Sequence, residues 1–203
     1  MLHILFVCTG NTCRSPMAEG LLRKLAKERG VDLEVRSAGV SAIPGTSVSR
    51  HAAAILRDEG INDDITSSQL SDALVSWADL VLTLTGGHKR HVLQYFPAAL
   101  TKTHTLKEYV EVESTVGKDL QELDSLYAQA ELEISLGGEP DAADLQRIIE
   151  IRQRIPSFDI SDPFGGTRDD YEIAASEIRT ALHKLLDKLE VPRLHNDGNT
   201  SKN

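Results

Sequence analysis

Apolar positions along the chain follow two periods in alternation. His3 to Val7 (HILFV) is a short, almost wholly apolar run, the pattern of a strand buried on both faces. Pro16 to Arg29 follows with Met17, Leu21, Leu22 and Leu25 on one helical face. Pro16 suits a first helical turn, where its missing N–H is no loss, and Gly30 suits the stop. Strand patterns return at Leu33–Ser37, ahead of the turn-like SAGVSAIPG, at Asp79–Thr85 (DLVLTLT) and at Thr103–Leu106. Helical spacing marks Ser47–Glu59 (Ala52, Ile55, Leu56), a turn or two over Leu70–Trp77, and His88–Phe96. It returns at Asp169–Leu189, with Ile173, Ile178, Leu182, Leu185, Leu186 and Leu189 on one stripe. Repeated strand-helix units predict an α/β fold: a three-layer α/β/α arrangement around a four-stranded parallel sheet. In such sheets ligands bind beyond the carboxyl ends of the strands.

Residues 111–158 break the alternation. Leu120, Leu123, Tyr127, Ala130 and Ile134 recur at helical spacing, as do Leu145, Ile148, Ile149, Arg152 and Ile155. LGGEPD between them supplies the break, with Pro140 and Asp141 suited to begin a helix. This predicts an inserted helical hairpin carrying 11 acidic against 4 basic residues. A solvated extension or dimer contact is the simpler reading of it, and steering of cationic segments the alternative. The whole is expected to be one domain over 1–191, followed by a polar, disordered tail over 192–203.

Composition narrows the setting. A chain of 203 residues, 40% hydrophobic and 26% charged, can bury a core without disulfides or metals. The opening MLHILFVC lacks a basic n-region and is expected to be a buried strand, not a signal peptide. No apolar run approaches the roughly 20 residues of a membrane helix, and a net charge of −9 disfavours nucleic acid as a partner. Two cysteines are too few for a secreted disulfide scaffold, so a cytoplasmic location is expected and the cysteines become candidates for chemistry.

Both cysteines lie in CTGNTCRS, residues 8–15, where the first strand hands over to a helix. Gly10 and Asn11 tolerate unusual backbone angles, so the turn can curl several N–H groups toward one point. The helix start near Ser15 and Pro16 adds its positive dipole end there, and Arg14 adds a guanidinium fork matched to two phosphate oxygens. The same positive field favours the thiolate of Cys8, a nucleophile aimed at bound phosphorus. Ser15 can give that thiolate a hydrogen bond. The loop lacks the GK[ST] ending of a nucleotide-binding P-loop. A lone cysteine here would be a small core residue; the company of arginine and serine on a strand-loop-helix frame favours chemistry. The proton donor such a reaction needs is offered by SDPFGG, residues 161–166, where Pro163 stiffens a turn holding Asp162.

CTGNTCRSPMAE, RSAG at 36–39, ADLVLTLT at 78–85 and DPFGG at 162–166 together resemble the low-molecular-weight protein tyrosine phosphatase family, best its bacterial protein-arginine-phosphatase branch. The resemblance covers about residues 1–110 and 159–190. It implies Cys8 as nucleophile, Arg14 as the phosphoryl ligand, Ser15 as the thiolate's support and Asp162 as general acid, with no metal and no cofactor. Thr9, Gly10, Asn11, Thr12, Cys13 and Ser15, with Phe164, are expected to surround the substrate.

Thr12 stands where tyrosine-directed members typically carry isoleucine, and arginine-directed members resemble this chain in carrying threonine. A hydroxyl there can accept from a guanidinium N–H that an apolar wall would leave unpaired, at about 1–3 kcal/mol. The implied substrates are phosphoarginine proteins, the implied counterpart a protein arginine kinase, and the assembly a monomer or weak dimer. Phosphotyrosine, or any accessible phosphomonoester, remains the rival substrate. Cys13 could capture an oxidised Cys8 as a disulfide, or simply pack the helix start. The histidine that mammalian-type members use to support the loop has no counterpart in DITSSQL, residues 64–70. His88 and His91 share a helical face without acidic or cysteine partners, so both are expected to be solvent-exposed.

Overall fold

The first strand, β1 (Leu2–Cys8), is buried completely from Ile4 to Val7, which places it in the middle of a sheet with both faces covered. The computed structural model that shows this describes residues 1–111 and 115–190; the tail expected over 192–203 lies outside them. β1 pairs in parallel with β2 (Leu33–Gly39) on one side and β3 (Leu80–Thr83) on the other, and β3 pairs with β4 (Thr103–Thr105). The result is the expected four-stranded parallel sheet, in the order β2-β1-β3-β4.

Between the strands run α1 (Arg14–Arg29), α2 (Arg50–Asp58), α3 (Asp72–Trp77), α4 (Gly86–Tyr95), a 3₁₀ turn over Pro97–Lys102 and α5 (Leu106–Glu111). Leu5 and Val7 point to the face where Val75 of α3 and Val92 of α4 complete a buried cluster. Successive strand residues alternate faces, so Ile4, Phe6 and Cys8 point the other way, where α1 packs on β1 and β2 and against α8 (Arg168–Glu190). Gly30 ends α1 in the left-handed region at φ 67°, where its N–H bonds Lys27 O.

Several elements differ from their sequence reading. Helix α2 starts at Arg50 rather than Ser47, because Ser47 is held extended in a bridge to Thr66. Ile173 is 54% exposed: the buried face of α8 runs through Tyr171, Ala174, Ala175, Ile178, Ala181, Leu182, Leu185 and Leu186, and Ile173 falls off that stripe. In α6 (Thr115–Ser135) the half-buried positions include Leu120, Leu123, Leu126, Ala130 and Glu133, so Tyr127 and Ile134 lie outside the stripe.

The chain divides into two units, Met1–Tyr109 with the segment from Asp159 onward, and Val110–Phe158. Within the second, α6 and α7 (Ala142–Arg154) run antiparallel. Arg147 reaches Glu122 at 2.6 Å, Arg154 reaches Asp119 at 3.0 Å, and Glu133 accepts from Asp141 N at 3.2 Å. Asp141 caps α7 through Ala143 N at 2.7 Å, as its position after Pro140 predicts. Ile148 and Ile151 of α7 are buried, whereas Leu145 and Ile149, read from the sequence as the same stripe, are 43% and 50% exposed.

The ends of β1 and β2 touch more closely than side chains allow. A Cβ on Gly39 would come within 2.5 Å of Thr9 O and 2.9 Å of Asn11 N. Gly39→Ala is therefore expected to lower the urea midpoint by the equivalent of about 1–3 kcal/mol at unchanged m-value. An unaltered midpoint would show that this close approach is no constraint.

Candidate active site

After Cys8 the chain leaves the sheet and turns at once into α1. The turn is held from outside by the segment after β2: Cys8 O accepts from Val40 N at 2.9 Å, Thr9 O from Ser41 N at 2.9 Å and Thr12 O from Ser49 N at 2.8 Å. With these carbonyls occupied outward, the N–H groups of residues 10–13 have no protein acceptor among the described residues. Helix α1 begins without a side-chain cap and with no acidic residue in its first turn, so its positive end adds to the same cradle.

The curl depends on Asn11, the one non-glycine residue with positive φ, at 53°, among the described residues. Its side chain is fully buried. Oδ1 accepts from Ser68 N at 2.8 Å, and Nδ2 donates to Ser15 Oγ at 2.8 Å and to Ser37 Oγ at 2.7 Å. Because Asn11 donates to Ser15, the hydroxyl proton of Ser15 is left for Cys8 Sγ, 2.9 Å away. Ser37 in turn donates to Glu19, whose carboxylate also pairs with Arg23. Burial pushes the Glu19 carboxyl above its ordinary range, and Ser37 and Arg23 oppose that shift. Buried polar side chains thus connect Glu19 to Cys8 without a break.

Opposite Cys8 lies the loop before α8. Arg14, 4% exposed, donates Nη1 to Ile160 O at 3.2 Å and pairs Nη2 with Asp162 Oδ2 at 3.0 Å. Arg14 Nε is buried and has no partner among the described residues. Asp162 Oδ1 accepts from Phe164 N at 3.2 Å, and Gly165, at φ 75°, lets Gly166 N close the turn on Pro163 O at 2.9 Å. Pro163 is buried and Phe164 is 80% exposed, so the loop is anchored by its proline and presents its ring outward.

These groups line a pocket of about 410 Å³ whose wall includes Cys8, Thr9, Gly10, Thr12, Cys13, Arg14, Asp162 and Phe164. Asn11 and Ser15, expected among the substrate ligands, instead stand behind the wall as its support. The pocket also takes in Ser41, Ile43 and Thr46, which sequence reasoning did not name. Only the strand pairing could have pointed to them: SAGVSAIPG carries the end of β2, and Cys8 lies level with Gly39 once β1 and β2 are paired. Cys13 is buried and free, its Sγ 3.1 Å from Tyr171 Oη. No cluster of three or more metal-ligating side chains occurs among the described residues.

His88 overturns the expectation of exposure. It is 7% exposed, and its ring bridges Thr9 Oγ1 (Nε2, 2.9 Å) and Thr85 Oγ1 (Nδ1, 2.9 Å). Burial, helped by the Arg14 guanidinium, brings its pKa down to about 4. The expectation failed because it counted only acidic and cysteine partners; the partners are hydroxyls.

Comparison with known proteins agrees with this geometry. Residues 3–133 match the family described as low molecular weight phosphotyrosine protein phosphatase. The protein-arginine-phosphatase of Geobacillus stearothermophilus is 36% identical over 188 residues, spanning 93% of this chain and 96% of that protein. The solved structure of YwlE arginine phosphatase from Geobacillus stearothermophilus superposes with a TM-score of 0.71 at 34% identity, covering 98% of this chain and 100% of that one. A cysteine-to-serine mutant of YwlE arginine phosphatase with a phosphorylated active-site serine superposes with a TM-score of 0.70 at 32% identity, covering 95% and 99%. On the match over most of its length and on the shared fold, the chain belongs to the low molecular weight phosphotyrosine protein phosphatase family.

Proposed function

We propose that this chain hydrolyses phosphoarginine on proteins through a phosphocysteine intermediate, as one phosphatase domain over residues 1–191 with a helical insertion at about 111–158. The thiolate of Cys8 attacks phosphorus while loop N–H groups and Arg14 hold the phosphoryl oxygens. Arg14 Nε, buried without a partner among the described residues, is a donor available to that ligand. Asp162 protonates the guanidine nitrogen as the P–N bond breaks. Its carboxylate then takes a proton from the water that attacks phosphocysteine, which releases inorganic phosphate and restores the thiolate. Ser15, with its proton directed at Cys8 Sγ, supports the sulfur as nucleophile and again as leaving group.

The observation that carries arginine over tyrosine is the hydroxyl of Thr12 on the wall of the pocket that the Asp162 carboxyl also lines, both able to accept from an N–H-rich group. The names of the relatives, both arginine phosphatases, support the same reading. The family's own name supports phosphotyrosine as the second reading. A kinase that phosphorylates protein arginine would supply the substrate. We place the reaction in the cytoplasm, consistent with two free cysteines; no helix of the described residues is long and apolar enough to cross a membrane.

Three variants test this reading. Asp162→Asn is expected to lower kcat for phosphoarginine by about 10²–10⁴-fold. Cys8→Ser should abolish turnover and leave measurable binding of inorganic phosphate; turnover in Cys8→Ser would remove the covalent mechanism. Side by side, kcat/KM for phosphoarginine and phosphotyrosine on the wild type and on Thr12→Ile decides the substrate. The expected outcome is a wild-type preference for phosphoarginine that shrinks about 5- to 100-fold in the variant. A wild-type preference for phosphotyrosine would move the assignment to the second reading.

A further inference from the structure

His88 is the buried polar group at this pocket to which the mechanism above gives no task. Its neutral ring has a single proton, and the charged or titratable groups that act on it are Arg14, Asp162, Asp159 and His91. The position of that proton follows from hydrogen-bond accounting. Thr85 Oγ1 already accepts from the His88 backbone N–H at 3.2 Å as the cap of α4. If Nδ1 also donated to it, the hydroxyl proton of Thr85 would have no acceptor among the described residues. A Thr85 that donates to Nδ1 keeps its hydroxyl proton within the protein and places the ring's own proton on Nε2, 2.9 Å from Thr9 Oγ1, and this is the arrangement the proposal takes. Thr9 is an exposed residue of the pocket wall, adjacent in sequence to Cys8. An Nε2–H on its oxygen leaves its hydroxyl proton free to turn into the pocket.

We propose that His88 is a positioning residue which makes the Thr9 hydroxyl a hydrogen-bond donor to the phosphoryl oxygens of the bound substrate. The proposal rests on the phosphatase reading of the pocket and is indifferent to whether arginine or tyrosine carries the phosphoryl group. A neutral ring suits the task, because it fixes one donor direction and leaves the positive charge of the pocket to Arg14 and the helix end.

The test measures the Kd of inorganic phosphate by calorimetry, without turnover, so that a failure of the phosphatase reading would appear separately, in kcat. Thr9→Val and His88→Leu are each expected to raise Kd about five- to tenfold. The double variant should lose no more than either alone. His88→Gln, whose side-chain N–H falls near the place of Nε2–H, should stay within about twofold of wild type. An unchanged Kd in Thr9→Val, additive losses in the double variant, or a Gln variant as weak as the Leu variant would each overturn the proposal. Should His88→Leu fail to fold, ¹⁵N resonances of the wild-type ring decide: a proton on Nε2 supports it, and one on Nδ1 overturns it.

Discussion

The site depends on one left-handed residue. A turn from β1 into α1 that aims its N–H groups inward must pass through positive φ, and the chain does so at Asn11 with a side chain rather than with glycine. An L residue there is strained by about 1–2 kcal/mol. The strain is offset because the amide has all its stronger partners in place: Ser68 N on its oxygen, Ser15 and Ser37 on its nitrogen. Glycine would enter this conformation more easily and would leave the loop without its cross-links to β2 and to the segment before α3. The loop is thus held by hydrogen bonds chosen to fit one curvature, and Gly39 leaves room for it.

The same amide sets the chemistry. Had Ser15 been free to rotate, its proton could serve solvent or backbone; a donor on its oxygen leaves Cys8 Sγ as the destination. One step further back, Ser37 gives its own proton to Glu19, so each hydroxyl in the chain accepts on one side and donates on the other. Glu19 is the terminus, a buried carboxyl whose desolvation is offset only in part by Ser37 and by Arg23, itself bonded to Val35 O at 2.9 Å. The absence of a histidine in residues 64–70, which left the loop's support open at the level of sequence, is answered by Ser68 N and by Glu19.

What was legible in the sequence followed from local rules. Runs such as HILFV and stops such as Gly30 placed β1 and α1 within a residue or two, because burial on two faces and a left-handed cap leave few alternatives. Cys8, Arg14 and Ser15 were legible because five residues of loop bring them together without help from elsewhere. Ile173 misled because an apolar residue one step from the stripe cannot be distinguished from one on it until packing against α1 and α2 fixes the rotation of α8. His88 and the wall formed by Ser41, Ile43 and Thr46 were not legible for a different reason. Their roles depend on strand order, which puts the segments after β2 and β3 on either side of the loop after β1.

That strand order also separates machinery from selectivity. Cys8, Ser15, Asn11 and Glu19 descend from the loop into the core, where any change disturbs several hydrogen bonds at once. Thr12, Ile43 and Phe164 stand at the pocket wall with few partners: Thr12 Oγ1 has Cys13 Sγ, at 3.6 Å, as its hydrogen-bond partner among the described residues, and Ile43 is 75% exposed. Residues so loosely tied can change without unsettling the cradle beneath them. On the proposed roles, a fold arranged this way can keep one phosphoryl-transfer apparatus and alter the group that carries the phosphoryl by substitutions at the wall, with Asp162 serving recognition and chemistry together.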